Sequence, residues 1–381
     1  MLNRLKKMDV GILTLLVCFM VVSAVLLYSV GDGDPKYAGY YKKMLQFYVA
    51  GYILVTFVTL VDYRIILKFW YYFYAVGIAL LVAVFFLGSK VNGATGWFKL
   101  PGGFSFQPAE AFKIIMIIVV AYMLGRRQGD KLLFTQDLLP IAVLVGLPFM
   151  LVVVQPDLGN AVIYLVILLG MLWIGNVKYS HVLIGLVSVI GGALLFVTLF
   201  TSFNAEIKDY AEKHGVKHWY ERINTFVDPT NADKDEAYQA RNAKIAVGSG
   251  GLTGDGFLQG DSKNRGAVPY TYSDSIFVVI GEEFGFQGSA VLLLLYFLLI
   301  YRMIIIAFQC LDLKGSFIII GIVCMYVFQV FQNVGMMIGI MPITGITLPF
   351  VSYGGTSLML NMLSIGIVFS VRAHQEKYQL E

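Results

Sequence analysis

The sequence predicts an all-α polytopic membrane protein of about ten transmembrane helices, with one large extracellular loop between the seventh and the eighth. Two observations predict it. The 381-residue chain is 58% hydrophobic and only 14% charged, with a mean hydropathy of +0.75. Runs of roughly 20 apolar residues recur from end to end, each long enough to cross a bilayer. A soluble domain does not carry so many.

The first run, VGILTLLVCFMVVSAVLLYSV, follows Arg4, Lys6 and Lys7. It is too long for a signal-peptide core and lacks a small-residue cleavage site, so it is an uncleaved first span, residues 10–30. Further spans are expected at 44–61, 66–88, 108–125, 137–154, 158–175, 181–201, 287–309, 316–338 and 355–371. Only QPD separates the fifth from the sixth, which makes them a tight helical hairpin. The whole chain, 1–381, is one membrane domain. Cys18, Cys310 and Cys324 lie far apart in apolar runs, which argues against a disulfide framework. With a net charge of +4 and no sustained basic tract, nucleic acid is not an expected partner.

Orientation follows from Lys and Arg near the helix ends, leaving out the long loop at about 202–271. Thirteen of them, from Arg4 to Lys377, fall on one side; five (Lys36, Lys42, Lys43, Lys90 and Lys99) fall on the other. Both termini are therefore placed in the cytoplasm, and the loop outside. Within the loop, HWYERINTFVDP and AYQARNAKIAVGSGGL space their aromatic and aliphatic residues as helices do, so short amphipathic helices on the membrane face are expected.

Three features then share the outer side: residues 202–286, the stretch ATGWFKLPGGFSFQPAEAFK before the fourth span, and IMPITGITLPFVSYGGTS before the tenth. Pro and Gly at membrane depth require backbone that is buried in protein or lines a cavity. A pocket at the outer leaflet, partly open to water, is the expectation.

The stretch PYTYSDSIFVVIGEEFGFQGS gathers three acids where the chain re-enters oil. Asp274 has no basic residue within eight positions, and an ionisable group near a membrane is costly enough to mark function. The alternative is that Ser273 or Asp274 caps the helix that follows. Glu282 lies eight residues on, about 80° around an ideal helix, and Glu283 falls on the far side. Either acid could instead sit solvated at a helix break before Gly285. Glu110 and Lys113 share a helix face, as a self-neutralising pair or as a site for an anion. Asp157 in QPDLGN is either functional or the cap of the sixth span.

Two patterns carry less. His214 and His218 are spaced as helical metal ligands with Glu221 nearby, but Gly215 weakens that helix and no third ligand is close. The run GSGGLTGDGFLQG fits neither a dinucleotide fingerprint nor a P-loop, and its glycines are expected to make a tight turn pressed on the outer pocket. Neither a nucleotide nor haem is expected.

The segments GATGWFKLPGGFSFQPAEAFKI, QPDLGNA, RINTFVDPTNADKDEAYQARNAKIAVGSGGLTGDGF, YSDSIFVVIGEEFGFQGS and PITGITLPFVSYGGTS occur in the order typical of the SEDS family. The chain resembles these RodA/FtsW peptidoglycan glycosyltransferases over nearly its whole length. LVDYRII after the second span and the short tails look more like the elongation branch, RodA, than the division branch, FtsW. The resemblance implies polymerisation of lipid II, from an undecaprenyl-pyrophosphate-linked glycan, at the outer face of a bacterial cytoplasmic membrane. It also implies a class B penicillin-binding protein as partner. The essential aspartate of the family corresponds by motif to Asp274, although PYTYSDSIF departs from the common PE..TDFIF and puts Tyr270 where an acid is usual.

The reaction so implied needs a base near the acceptor hydroxyl, for which Asp274 is the candidate with Glu282 tuning its charge. It needs positive charge at the leaving pyrophosphate, from Mg²⁺ or Mn²⁺ or from Lys113, Arg222 or Lys244. A single displacement would invert the α-linked donor to a β-linked product. The rivals are a flippase for lipid-linked precursors, which should show inverted repeats and midplane charges, a division-specific polymerase, and a non-catalytic scaffold. Only QPAE and QPDL echo one another, too little for a repeat.

Overall fold

The computed structural model describes residues 2–91, 94–100, 104–155, 157–213, 220, 224 and 234–375. Its long helices are α1 (Val10–Gly33), α2 (Tyr40–Leu60), α3 (Trp70–Leu87), α4 (Pro108–Gly125), α5 (Leu139–Val154), α6 (Leu158–Ile174), α7 (Tyr179–Ser202), then α8 (Asn204–Lys213), α9 (Lys234–Ser249), α10 (Ile276–Phe308), α11 (Leu313–Ile338) and α12 (Gly355–Ala373). Among the described residues eight helices are long and apolar enough to span a membrane, and the apolar α6 is shorter at 17 residues. With α7, 24 residues long, ten apolar helices occupy the ten expected positions.

Burial sorts them into layers. The spans of α4, α11 and α12 are 78%, 67% and 67% buried, against 17% for α3 and 22% for the span ending in α5. The first three form the centre, and the last two turn apolar side chains outward to lipid. Helix α12 packs along α2, while α11 contacts α10, α6 and α4. Gly366 of α12 lies against Val58 and Val55, and Gly51 of α2 against Met362, so small residues let those two backbones approach.

Asp9 caps α1 and binds Arg302 and Arg372, which brings both chain ends to one end of the bundle. The opposite end carries the long loop and a small antiparallel sheet, order β1-β2-β3, of Ser89–Val91, Ala94–Leu100 and Phe104–Phe106. Lys90 pairs with Thr95 and Lys99 with Ser105. That sheet was not expected, because strands this short between glycines leave no usable alternation.

The eighth span departs most from expectation. It starts at Ile276 instead of residue 287, and it breaks inside at Gly285, whose φ is +62°. The break is filled by the glycine-rich turn after α9. Asp255 and Gly256 N–H donate to the carbonyls of Glu282 and Glu283 (2.9 and 3.1 Å), and Phe286 and Gln287 N–H donate to Gly251 and Leu252 (2.9 and 3.1 Å). Backbone groups freed by the kink are thus paired with a second irregular segment. The expected tight turn exists, and this is what it presses on. Of the two expected loop helices, α9 lies against α10 and α11 with Ala243 and Ala246 buried. HWYERINTFVDP falls outside the described residues except Tyr220 and Asn224, both tied to Asn204.

Candidate active site

The segment from Gly339 to Gly354 crosses the loop-bearing end without regular structure. Its carbonyls are met by side chains from four helices. Ser23 of α1 donates to Val351 O (2.8 Å), Tyr48 of α2 to Phe350 O (2.5 Å), Tyr296 of α10 to Pro349 O, and Asn333 of α11 to Ile346 O (2.7 Å). A non-helical stretch can be buried in an apolar bundle only when its polar groups are paired in this way.

Asp274 sits on this platform. It belongs to a tight turn in which Ser273 and Ser275 N–H both donate to Tyr270 O (2.9 and 3.3 Å), with Tyr270 itself at φ +56°. Three bonds fasten the turn. Ser352 Oγ donates to Ser273 O (2.6 Å), Tyr353 N–H to Tyr272 O (2.9 Å), and Asn333 Nδ2 to Asp274 O (2.8 Å). The carboxylate lies over Gly345, where a Cβ would come 3.5 Å from Oδ2. The cap position of α10 is Ser275, which makes no side-chain capping bond.

The same segment reaches a second constellation. Thr347 Oγ1 is 3.1 Å from Ser357 Oγ, which donates to Glu110 Oε1 at 3.4 Å. Glu110 and Lys113 face each other at 3.8 Å, both buried. They line a small cavity with Gln329, Ser357 and Asn361. Gln329 Oε1 is buried there without a hydrogen-bond partner. Gly345 and Thr347 are two residues apart, so the backbone supporting the Asp274 carboxylate and that supporting the cationic pocket lie within about 7 Å.

Asp157 caps α6 through Asn160 N–H (3.1 Å), and its second oxygen accepts from Gln107 Nε2 (2.6 Å) and Asn160 Nδ2 (2.8 Å). It is the expected cap, and it also ties α6 to the start of α4. Lys244 is exposed on α9 and lies against Gly339 at the C-terminal end of α11, where the helix dipole favours a cation. Arg222, His214, His218 and Glu221 lie outside the described residues.

Glu282 and Glu283 require a correction. Asp274 precedes α10 in a turn, so the helical angle relating it to Glu282 does not apply. Glu282 accepts from Ser262 N–H (2.9 Å) and Ser262 Oγ, while Glu283 accepts from Ser29 Oγ (2.6 Å) and pairs with Lys263 at 2.5 Å. Both acids are buried and fasten the 261–264 segment to the bundle. Sequence reasoning passed over Asn333, Ser352, Ser357 and Gln329. Gln329, Gln332 and Asn333 were visible as polar residues inside an apolar span, a signal in its own right.

A family described as "Cell cycle protein", FtsW/RodA/SpoVE, matches residues 4–377. Stage V sporulation protein E of Bacillus subtilis is 32% identical over 368 residues, covering 94% of this chain and 95% of that protein. Peptidoglycan glycosyltransferase MrdB of Escherichia coli is 31% identical over 369 residues, covering 97% and 94%. Among solved structures, a chain of a peptidoglycan synthase complex that coordinates polymerization and crosslinking superposes with a TM-score of 0.79 at 27% identity, covering 98% of this chain and 99% of that one. The rod shape determining protein RodA of Thermus thermophilus gives 0.69 at 25% identity, covering 97% and 98%. With a family match over nearly its full length and relatives above 30% identity across it, this chain belongs to the FtsW/RodA/SpoVE family, the SEDS proteins.

Proposed function

We propose that this chain is a peptidoglycan glycosyltransferase that polymerises lipid II, with Asp274 as its general base. One observation carries the residue assignment. The turn that bears a partly exposed carboxylate is held by three anchors, one from α11 and two on the segment that also reaches the buried Glu110–Lys113 pocket. The acceptor sugar's hydroxyl gives its proton to Asp274 as its oxygen bonds the donor's anomeric carbon. The bond from that carbon to the pyrophosphate oxygen breaks, and Lys113 faces the departing charge. One displacement inverts the anomeric centre.

Among the described residues no three His, Cys, Asp or Glu side chains gather as a resident metal would need. An ion held by one or two carboxylates and the substrate's own phosphates needs no such cluster, and no step here depends on one. The loop-bearing end is assigned to the outer face from the Lys and Arg bias, and the elongation role from LVDYRII after the second span. Relatives named for sporulation and for peptidoglycan synthesis are equally similar and do not separate the branches. A class B penicillin-binding protein is the proposed partner, on the likeness to a chain of a synthase complex.

The test is to purify the chain with its cognate penicillin-binding protein, block that partner with penicillin, and add labelled lipid II with Mg²⁺ or Mn²⁺. Wild type should build glycan ladders and Asp274→Asn should not, while both melt alike. Polymer from Asp274→Asn would sink the base assignment. Lipid II crossing vesicle membranes with no polymer from wild type would favour the flippase.

A further inference from the structure

Five tyrosines meet beside Asp274, and the chemistry above uses none of them. Tyr37 comes from the turn between α1 and α2, Tyr40 from the start of α2, Tyr270 and Tyr272 from the turn that carries Asp274, and Tyr353 from the crossing segment. Tyr272 is at their centre, with ring centroids 4.6 Å from Tyr37, 5.5 Å from Tyr40, 6.3 Å from Tyr270 and 6.2 Å from Tyr353. Tyr40 stacks on Tyr353 at 4.2 Å. None of the five is buried, and Tyr270 is 39% exposed.

A core cluster would be closed to solvent, and an interfacial belt would spread its rings around the bundle toward lipid. These rings instead pack on one another at the polar end, and Tyr270 and Tyr272 lie four and two residues from the proposed base. Tyr270 adopts a left-handed backbone that L residues rarely take, and such strain persists where the surroundings enforce it for a purpose. Lys36 and Lys43 lie 5.6 and 5.9 Å over the rings of Tyr37 and Tyr40, which gives the rim positive charge.

We infer that the five tyrosines form a saccharide-binding platform that holds the sugars of the substrate or product glycan beside Asp274. A pyranose offers one apolar C–H face to a ring and hydroxyl and acetamido groups to phenol donors, and a half-exposed tyrosine presents both kinds of contact. The Tyr272 and Tyr353 hydroxyls stay protonated, and able to donate, at neutral pH. Burial first, then the neighbouring tyrosines and Asp274, push the Tyr272 hydroxyl up to about 12, and burial raises Tyr353 as well. Tyr272 is two residues from Asp274, so a sugar stacked there has its neighbour in the chain within reach of the carboxylate, about 7 Å away.

The role given to the bound sugar rests on the polymerase reading, but binding itself does not. The test therefore uses full-length Asp274→Asn in nanodiscs with its partner, probed with tetra-N-acetylchitotetraose by saturation-transfer NMR. We expect signal on the sugar, reduced about tenfold by Tyr40→Leu or Tyr353→Leu and retained by Tyr40→Phe. In otherwise wild-type enzyme the same leucine variants should raise KM for lipid II about tenfold with a smaller change in kcat. Tyr270→Leu alters the most exposed ring and decides the matter if the others do not fold. Equal signal in all variants, or none with Asp274→Asn, overturns the platform. Polymer without sugar binding would sink the platform alone; binding without polymer would sink the polymerase reading alone.

Discussion

Asn333 and Asp274 are joined by a hydrogen bond between chain segments 59 residues apart, with Nδ2 donating 2.8 Å to the Asp274 carbonyl. The same amide donates 2.7 Å to Ile346 O, so one fully buried side chain registers the Asp274 turn against the crossing segment. Asn333→Leu leaves both carbonyls without that partner, at a cost of about 1–3 kcal/mol for each one that stays buried. Thermal unfolding in detergent should show the loss, and glycan synthesis should fall more steeply than folded protein does. Wild-type activity in this variant would mean that Asn333 does not position Asp274.

The Lys263–Glu283 pair, 2.5 Å apart with side chains 1% and 0% exposed, anchors the long loop inside the bundle. Lys263→Met strands a buried carboxylate and should cost about 3–5 kcal/mol, whereas Lys263→Met with Glu283→Leu should recover most of that loss. Denaturation midpoints for the two singles and the double give the coupling directly. Additive losses would show that the two charges act separately.

Gly285 and Gly248 should respond oppositely to alanine. At Gly285 the backbone is at φ +62°, and a Cβ would meet Leu252 C and Thr253 N at 2.8 Å, both backbone atoms. Gly285→Ala should be strongly destabilising and should loosen the 250–256 turn, seen as faster amide exchange there. Gly248 lies in α9 with nothing within 4 Å of its added Cβ, so Gly248→Ala should gain about 0.5–1 kcal/mol. Equal effects would mean the kink is not enforced by the turn.

Asp9 gives the bundle an acid limit. Burial raises its pKa, but the Ile12 N–H and the guanidiniums of Arg302 and Arg372 together outweigh burial and hold it below the ordinary 3.8. A carboxylate with a lowered folded-state pKa stabilises the fold above its unfolded value, and that contribution disappears as pH falls through the folded value. Asp9→Asn should therefore melt earlier at neutral pH and lose less on acidification below about pH 4. An unchanged acid limb in this variant would assign the limit to other groups.

The parts of this fold that are legible in the sequence are those the bilayer dictates. Helix α4 lies at Pro108–Gly125, where it was expected, because Pro108 starts it and an unbroken apolar run follows. A helix from Ile276 was legible only in the reading that has Ser273 or Asp274 as its cap, and the break before Gly285 is present. What was not legible is that Glu282 and Glu283 are buried at that break instead of solvated, because Ser262, 20 residues back, and Ser29, 254 residues back, satisfy them. Such partners are fixed by packing, not by local pattern. Asp274 stood out by type and place, since an isolated acid beside an apolar run is costly. Asn333 carries no charge and is marked only as a polar residue inside an apolar span, and its role depends on the path of residues 340–354, which no periodicity reveals.

Glu110 and Lys113, at 3.8 Å in a buried pocket, can be a structural pair or a pair whose cation serves the leaving pyrophosphate. The two roles separate when charge balance is restored without the cation. Lys113→Met alone strands Glu110 and should lower both stability and activity. Adding Glu110→Gln removes the stranded charge, so the double variant should melt near wild type. If Lys113 faces the pyrophosphate, the double variant still polymerises lipid II about 10²–10³-fold more slowly, the scale seen when one preorganised electrostatic contact to a developing charge is lost. The loss should lie in kcat, because the charge it meets develops as the bond breaks. A double variant that regains both melting temperature and kcat would reduce the pair to a structural element and leave the pyrophosphate to another cation.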